Sequence, residues 1–130
     1  MVAGMCLLIV VRGCFGSHPI LVAANRDERT DRKSAPPGLW VGQHRRVLSP
    51  RDRVAGGTWL AVGEHGLFAG LTNISAVPPP PGAASRGELP HLALDAADLD
   101  AGARAVQEAV SARRYGGFQL VLASVFCIRW

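Results

Sequence analysis

Lysine is nearly missing from this chain: of 14 basic side chains, only Lys33 is not an arginine. Alanine-rich stretches accompany that bias, and both fit the codon usage of a GC-rich coding sequence. The formal net charge of +4 is therefore not read as a nucleic-acid footprint. The arginines are scattered, and no basic stripe carries interleaved aromatics. Cysteine is scarce as well: Cys6, Cys14 and Cys127 are too few and too scattered for a disulfide framework. His18, His44, His65 and His91 stand alone, with no second His or Cys at ligand spacing, so no metal site is expected. Long apolar runs are lacking too. Met1 to Val11 spans 11 residues before Arg12 interrupts, against about 20 needed to cross a bilayer. That stretch has neither the basic start nor the small-residue cleavage site of a signal peptide. The expected location is a reducing cytoplasm, with no transmembrane segment and no nucleic-acid partner.

What is present is enough for one core. In 130 residues, 48% are hydrophobic and 18% charged, which excludes disorder and leaves no room for two domains. Fifteen Gly and nine Pro argue against a helical bundle. Met5 to Val11 reads as a strand buried on both faces, and Pro19 to Ala24 as its hairpin partner across the turn residues Gly13 to Ser17. Asn25 to Arg46, polar and broken by Pro36-Pro37-Gly38, reads as a long surface loop. Arg46 to Ser49 is a short strand. Gly57 to Val62 and Leu67 to Asn73 form a second hairpin around Gly63 to Gly66. Pro78 to Pro81, within Val77 to Ala84, is an extended polyproline spacer with no sheet partner. Ser85-Arg86-Gly87-Glu88 has the pattern of a capping box opening a short helix toward Leu94. Asp98 or Asp100 caps a second helix to about Arg114, with Ala103, Val106 and Val110 inward and Gly116-Gly117 closing it. Phe118 to Val125 is a last apolar strand. Hairpins followed by paired helices make a layered α+β protein, a single domain over 5–125 with residues 1–4 as an extension of doubtful origin.

Four segments carry the chemistry. They are Met5-Cys6; Asn25-Arg26-Asp27-Glu28 closing the second strand; Gly56-Gly57-Thr58-Trp59 with Leu71-Thr72-Asn73; and Ser85-Arg86-Gly87-Glu88. In this order and spacing they resemble the NRDE family, also called the transport and Golgi organization protein 2 family, across nearly the whole chain. That family is similar in pattern to N-terminal-nucleophile (Ntn) hydrolases, which stack two antiparallel sheets between helix layers. The resemblance implies an αββα architecture. Family members are usually about twice this long, which makes the chain look like an N-terminal half.

By that resemblance Cys6 would be a nucleophile, Arg26 and Asp27 would orient it, and Asn73 would donate to an oxyanion. An N-terminal cysteine carries thiol and α-amine together, titrating near ~8.5 and ~7.7–8, so the amine can take the thiol proton. The developing oxyanion then needs a preorganised donor. Antiparallel pairing can bring the start of the first strand beside the end of the second, placing Cys6 near Arg26-Asp27. As written, Cys6 is internal, and amidase chemistry requires it to be exposed by cleavage or by a start at Met5. Bland roles stand beside these: an inert strand thiol for Cys6, a local ion pair for Arg26-Asp27-Glu28, a turn former for Asn73 and a core position for Trp59. Two functions follow. One is a cysteine hydrolase cleaving a C–N amide bond. The other is a non-catalytic trafficking or chaperone protein for a small hydrophobic ligand such as haem or an acyl lipid, with haem as ligand and no resident cofactor.

Overall fold

The computed structural model describes residues 6–74 and 78–125 and the backbone of 128–129. The expected extension at 1–4, Val77 of the proline spacer and Cys127 lie outside the described residues. Among the described residues, eight strands form two antiparallel sheets. β1 (Leu7–Phe15) and β2 (His18–Asn25) make a two-stranded sheet. The second sheet runs in chain order through β3 (Ser34–Val41), β4 (Arg46–Asp52), β5 (Leu60–Gly63), β6 (Phe68–Asn73), β7 (Phe118–Ala123) and β8 (Ile128–Arg129). Between β6 and β7 lie a 3-10 turn (Arg86–Glu88), α1 (Leu89–Leu94) and α2 (Leu99–Ala112).

Strand alternation sorts the larger sheet into two faces. Ala61, Ala69, Leu71 and Leu122 point to one face and form the core with Leu89, Leu94, Leu99 and Val106 of the helices. Gly70 lies on the other face, and the side chain of Leu8 packs directly over it. The hairpin β1–β2 thus covers the sheet on the side away from the helices, giving helix, sheet and hairpin layers. The layered α+β architecture read from the sequence is present.

Leu89 and Leu94 are 0% and 1% exposed, and burying each contributes about 1.5–3 kcal/mol. Pro90 sits in the first turn of α1, where its missing N–H costs nothing. Asp98 caps α2 by accepting from Ala101 N at 2.8 Å. A Cβ on Gly102 would lie 2.5 Å from the Ala93 carbonyl oxygen, so a bare backbone there lets the helices approach.

Several expectations are corrected. The stretch expected to be a loop contains β3, an edge strand despite Pro36-Pro37. Its register with β4 shifts between Ala35 and Gly38, a bulge that tolerates residues lacking an N–H. β4 runs on to Asp52. β1 is not buried on both faces: Leu8, Val10 and Val11 are half-buried, but the start of the other side is open. Leu7 and Ile9 are 53% and 44% exposed. The capping box does not form: Ser85 makes no side-chain cap bond, and Glu88 turns elsewhere. Val110 points outward, and α2 ends at Ala112, three residues before Gly116-Gly117 is reached.

Candidate functional site

The β1–β2 ladder pairs Leu7 with Asn25, and the Asn25 side-chain oxygen accepts from Leu7 N at 2.7 Å. This register sets the start of β1 beside the end of β2. Cys6 Sγ lies 3.8 Å from the Asp27 carbonyl oxygen, to which its thiol donates. One residue earlier, Arg26 turns the other way. Its Nη2 is 3.1 Å from Glu28 Oε2 and 3.8 Å from Asp52 Oδ2. Its guanidinium lies over the Trp59 ring, 4.3 Å from the centroid, an arrangement that favours the cation electrostatically.

Arg32 completes the cluster. Its Nη2 and Nε donate to Asp52 Oδ2 at 2.6 and 2.9 Å, and Nε is 3.7 Å from Glu28. The second Asp52 oxygen accepts from Val54 N and Ala55 N. Burial alone would raise the Asp52 pKa. The Arg32 hydrogen bonds and the two backbone N–H groups outweigh it and hold the carboxyl below its ordinary value.

The last motif segment joins the same end of the sheet through glycines. A Cβ on Gly57 would lie 2.4 Å from the Gly87 backbone, and Thr58 N donates to Gly87 O at 2.8 Å. Bare backbones at both positions allow that contact. Arg86 Nη1 donates to Gly117 O at 2.8 Å. Burial, then the nearby charge of Arg32, lowers the Arg86 pKa from its ordinary value. Glu88 pairs with Arg113 at 2.7 Å and accepts the Tyr115 hydroxyl. Burial and then this carboxylate push the tyrosine to about 12, locking the 3-10 turn to the far end of α2.

Two cavities draw on neighbouring residues of β6. A polar one of about 400 Å³ is lined by Arg26, Glu28, Arg32, Asp52, Trp59, Asn73 and Arg86, with the loop from Pro79 to Gly87 as its wall. An apolar cleft of about 650 Å³ wraps the outer edge of β7. Leu7, Leu8, Val106, Phe118, Leu120 and Val121 line it, together with Cys6. Neighbouring residues of β6 divide between them: Thr72 faces the cleft and Asn73 the polar cavity.

Of the residues singled out from sequence, Cys6 and Asp27 therefore meet through a backbone carbonyl. Arg26 and Asn73 share the polar cavity, and Cys6 opens on the cleft. The Asp27 carboxylate is exposed and makes no ion pair among the described residues. Sequence reasoning missed Arg32 and Asp52 as site residues and placed Trp59 in the core. Glu28 and Arg32 stand four apart, a spacing that could have signalled their pairing; Asp52 carried no signal. Among the described residues, no group of three or more His, Cys, Asp or Glu is placed to hold a metal. No helix among them is long and apolar enough to cross a membrane.

Fold and site together define a layered α+β protein whose motifs build a guanidinium–carboxylate cavity beside an apolar cleft. A sequence model of the Transport and Golgi organisation 2 family matches residues 5–128, and the chain belongs to that family. Transport and Golgi organization protein 2 homologs of Bos taurus and Homo sapiens are each 32% identical to it over 112 residues. The match covers 84% of this chain and 40% of theirs, so the chain spans less than half the length of these curated relatives.

Proposed function

We propose that the chain is a non-catalytic carrier or chaperone that holds a small hydrophobic ligand, such as an acyl lipid or haem, in the cleft along β7. The observation supporting this reading is the cleft itself. Its volume of about 650 Å³ falls among small-molecule sites of ~300–1,000 Å³. Its walls are aliphatic and aromatic, with Thr72, Gln107 and Gln119 as the polar exceptions. Each ligand methylene buried there contributes about 0.8 kcal/mol, so affinity rises with acyl length. Native mass spectrometry with a fatty acid series tests this. One ligand per chain is expected, retained in Cys6→Ala and lost in Leu7→Glu, which sets a charge on an exposed position of the wall. Equal binding by wild type and Leu7→Glu would contradict it.

A second reading, an N-terminal-cysteine amidase, is favoured by the 3.8 Å approach of Cys6 Sγ to the Asp27 carbonyl oxygen. With Cys6 as first residue, its amine would take the thiol proton and the thiolate would attack the amide carbon. Asn73 would donate to the oxyanion, the amine would leave with the proton, and water would hydrolyse the thioester. Cys6 and Asn73 face different cavities, which makes this the weaker reading. The intact mass of the protein from its native host decides whether Cys6 has a free amine. A mass beginning at Cys6 supports the amidase, and one retaining Val2 to Met5 removes its base.

A further inference from the structure

We infer that Arg86 anchors an oxyanion, a carboxylate or phosphate group carried by the ligand, which makes the polar cavity a head-group site for the molecule whose tail fills the cleft. The inference rests on the ligand-binding reading above.

The charges lining the cavity do not balance. Three guanidiniums, Arg26, Arg32 and Arg86, face two carboxylates, Glu28 and Asp52, leaving one positive charge in excess. The first two arginines are engaged. Arg26 pairs with Glu28 and stacks on Trp59, and Arg32 donates twice to Asp52. Arg86 is different: half-buried, it uses one nitrogen on the Gly117 carbonyl and has no ion pair among the described residues. A guanidinium stays charged in any protein, and its planar fork matches a carboxylate or phosphate through two parallel bonds. Asn73 lines the same cavity with an amide that makes no side-chain hydrogen bond among the described residues, so a second donor is at hand. Glu28, whose charge also acts on Arg86 and would repel an anion, is held within salt-bridge distance by Arg26 and Arg32 and not by Arg86. The ladder partner of Asn73 is Phe118, a wall of the cleft, so one strand pair contributes a residue to each site.

Calorimetric titration of the full chain with decanoic acid, decyl phosphate and decan-1-ol tests the assignment. Wild type is expected to bind at least one of the two anions about tenfold or more tightly than the alcohol, and the stronger one names the head group. Arg86→Gln is expected to erase the preference while keeping its affinity for decanol. Arg104→Gln, on the exposed side of α2, should leave both unchanged. A preference that persists in Arg86→Gln, or an alcohol that binds wild type as well as both anions do, would overturn the head-group site and leave the carrier reading intact. Failure of all three probes to bind would overturn both. If circular dichroism shows that Arg86→Gln does not fold, salt dependence in wild type decides: anion preference should fall between 50 and 500 mM salt while decanol binding does not, and a salt-independent preference would sink the assignment.

Discussion

Asp52 holds Arg26 in place without belonging to the Asn25-Arg26-Asp27-Glu28 segment. It accepts from Arg32 twice, from two backbone amides, and stands 3.8 Å from Arg26. Removing its charge leaves two guanidiniums short of a partner. Asp52→Asn should cost about 2 kcal/mol at pH 7, less than the ~3–5 kcal/mol of a fully buried pair because the cavity admits water. Its folded-state pKa lies below the ordinary 3.8. The stabilisation is therefore complete above that value and lost as pH falls through the lower one. Urea titration of both forms checks this: the gap between them should close under acid, and a gap that persists there would contradict the role. Gly57 is the second test at this scale. With a Cβ forced to 2.4 Å from the Gly87 backbone, Gly57→Ala should destabilise by about 1–3 kcal/mol and loosen the cavity wall. Unchanged melting would show that the two segments do not need that approach. The legible part of the site ran along local sequence: Arg26, Glu28, Trp59 and Arg86 all sit in motifs that can be read off the chain. Asp52 was illegible, because it reaches the arginines only through the fold of β4.

At the scale of elements, α1 is tied to β4 by His91, whose Nε2 is 2.9 Å from Ser49 Oγ, a hydroxyl on a residue 1% exposed. Burial, then Arg51, lowers this imidazole below its ordinary 6.5. As pH falls below 6.5, the unfolded chain takes up a proton before the folded one does, so stability drops until the folded imidazole also protonates. The melting temperature should fall between pH 7 and pH 5, and His91→Gln should flatten that fall. His65, shifted the same way by burial and then Arg45, adds to the fall. An unaltered slope in His91→Gln would contradict the assignment. Element prediction itself succeeded where the pattern was local. Asp98 capped α2, and the turn at Gly63 to Gly66 joined two strands. It failed at Pro36-Pro37, because a double proline reads as loop until a bulge and an edge position accommodate it. It failed at β1 because an all-apolar strand gives no sign of which face stays open.

Across the whole molecule, a helix layer, a six-stranded sheet and a hairpin bring four separated sequence segments to one end, where a charged cavity meets an apolar cleft. Layering was legible from the order of hairpins and helices. The cleft was not, since it depends on β7 having no outer strand partner from Phe118 to Val121 among the described residues and on Leu7 and Leu8 arriving from the other sheet. Whether that cleft carries a ligand or cleaves one is settled most directly by native mass spectrometry of the chain incubated with an N-acyl amide. One intact amide bound per chain, with no free acid appearing and no change in Cys6→Ala, is the predicted result. Release of the acid by wild type, abolished in Cys6→Ala, would contradict the carrier and establish the amidase in its place.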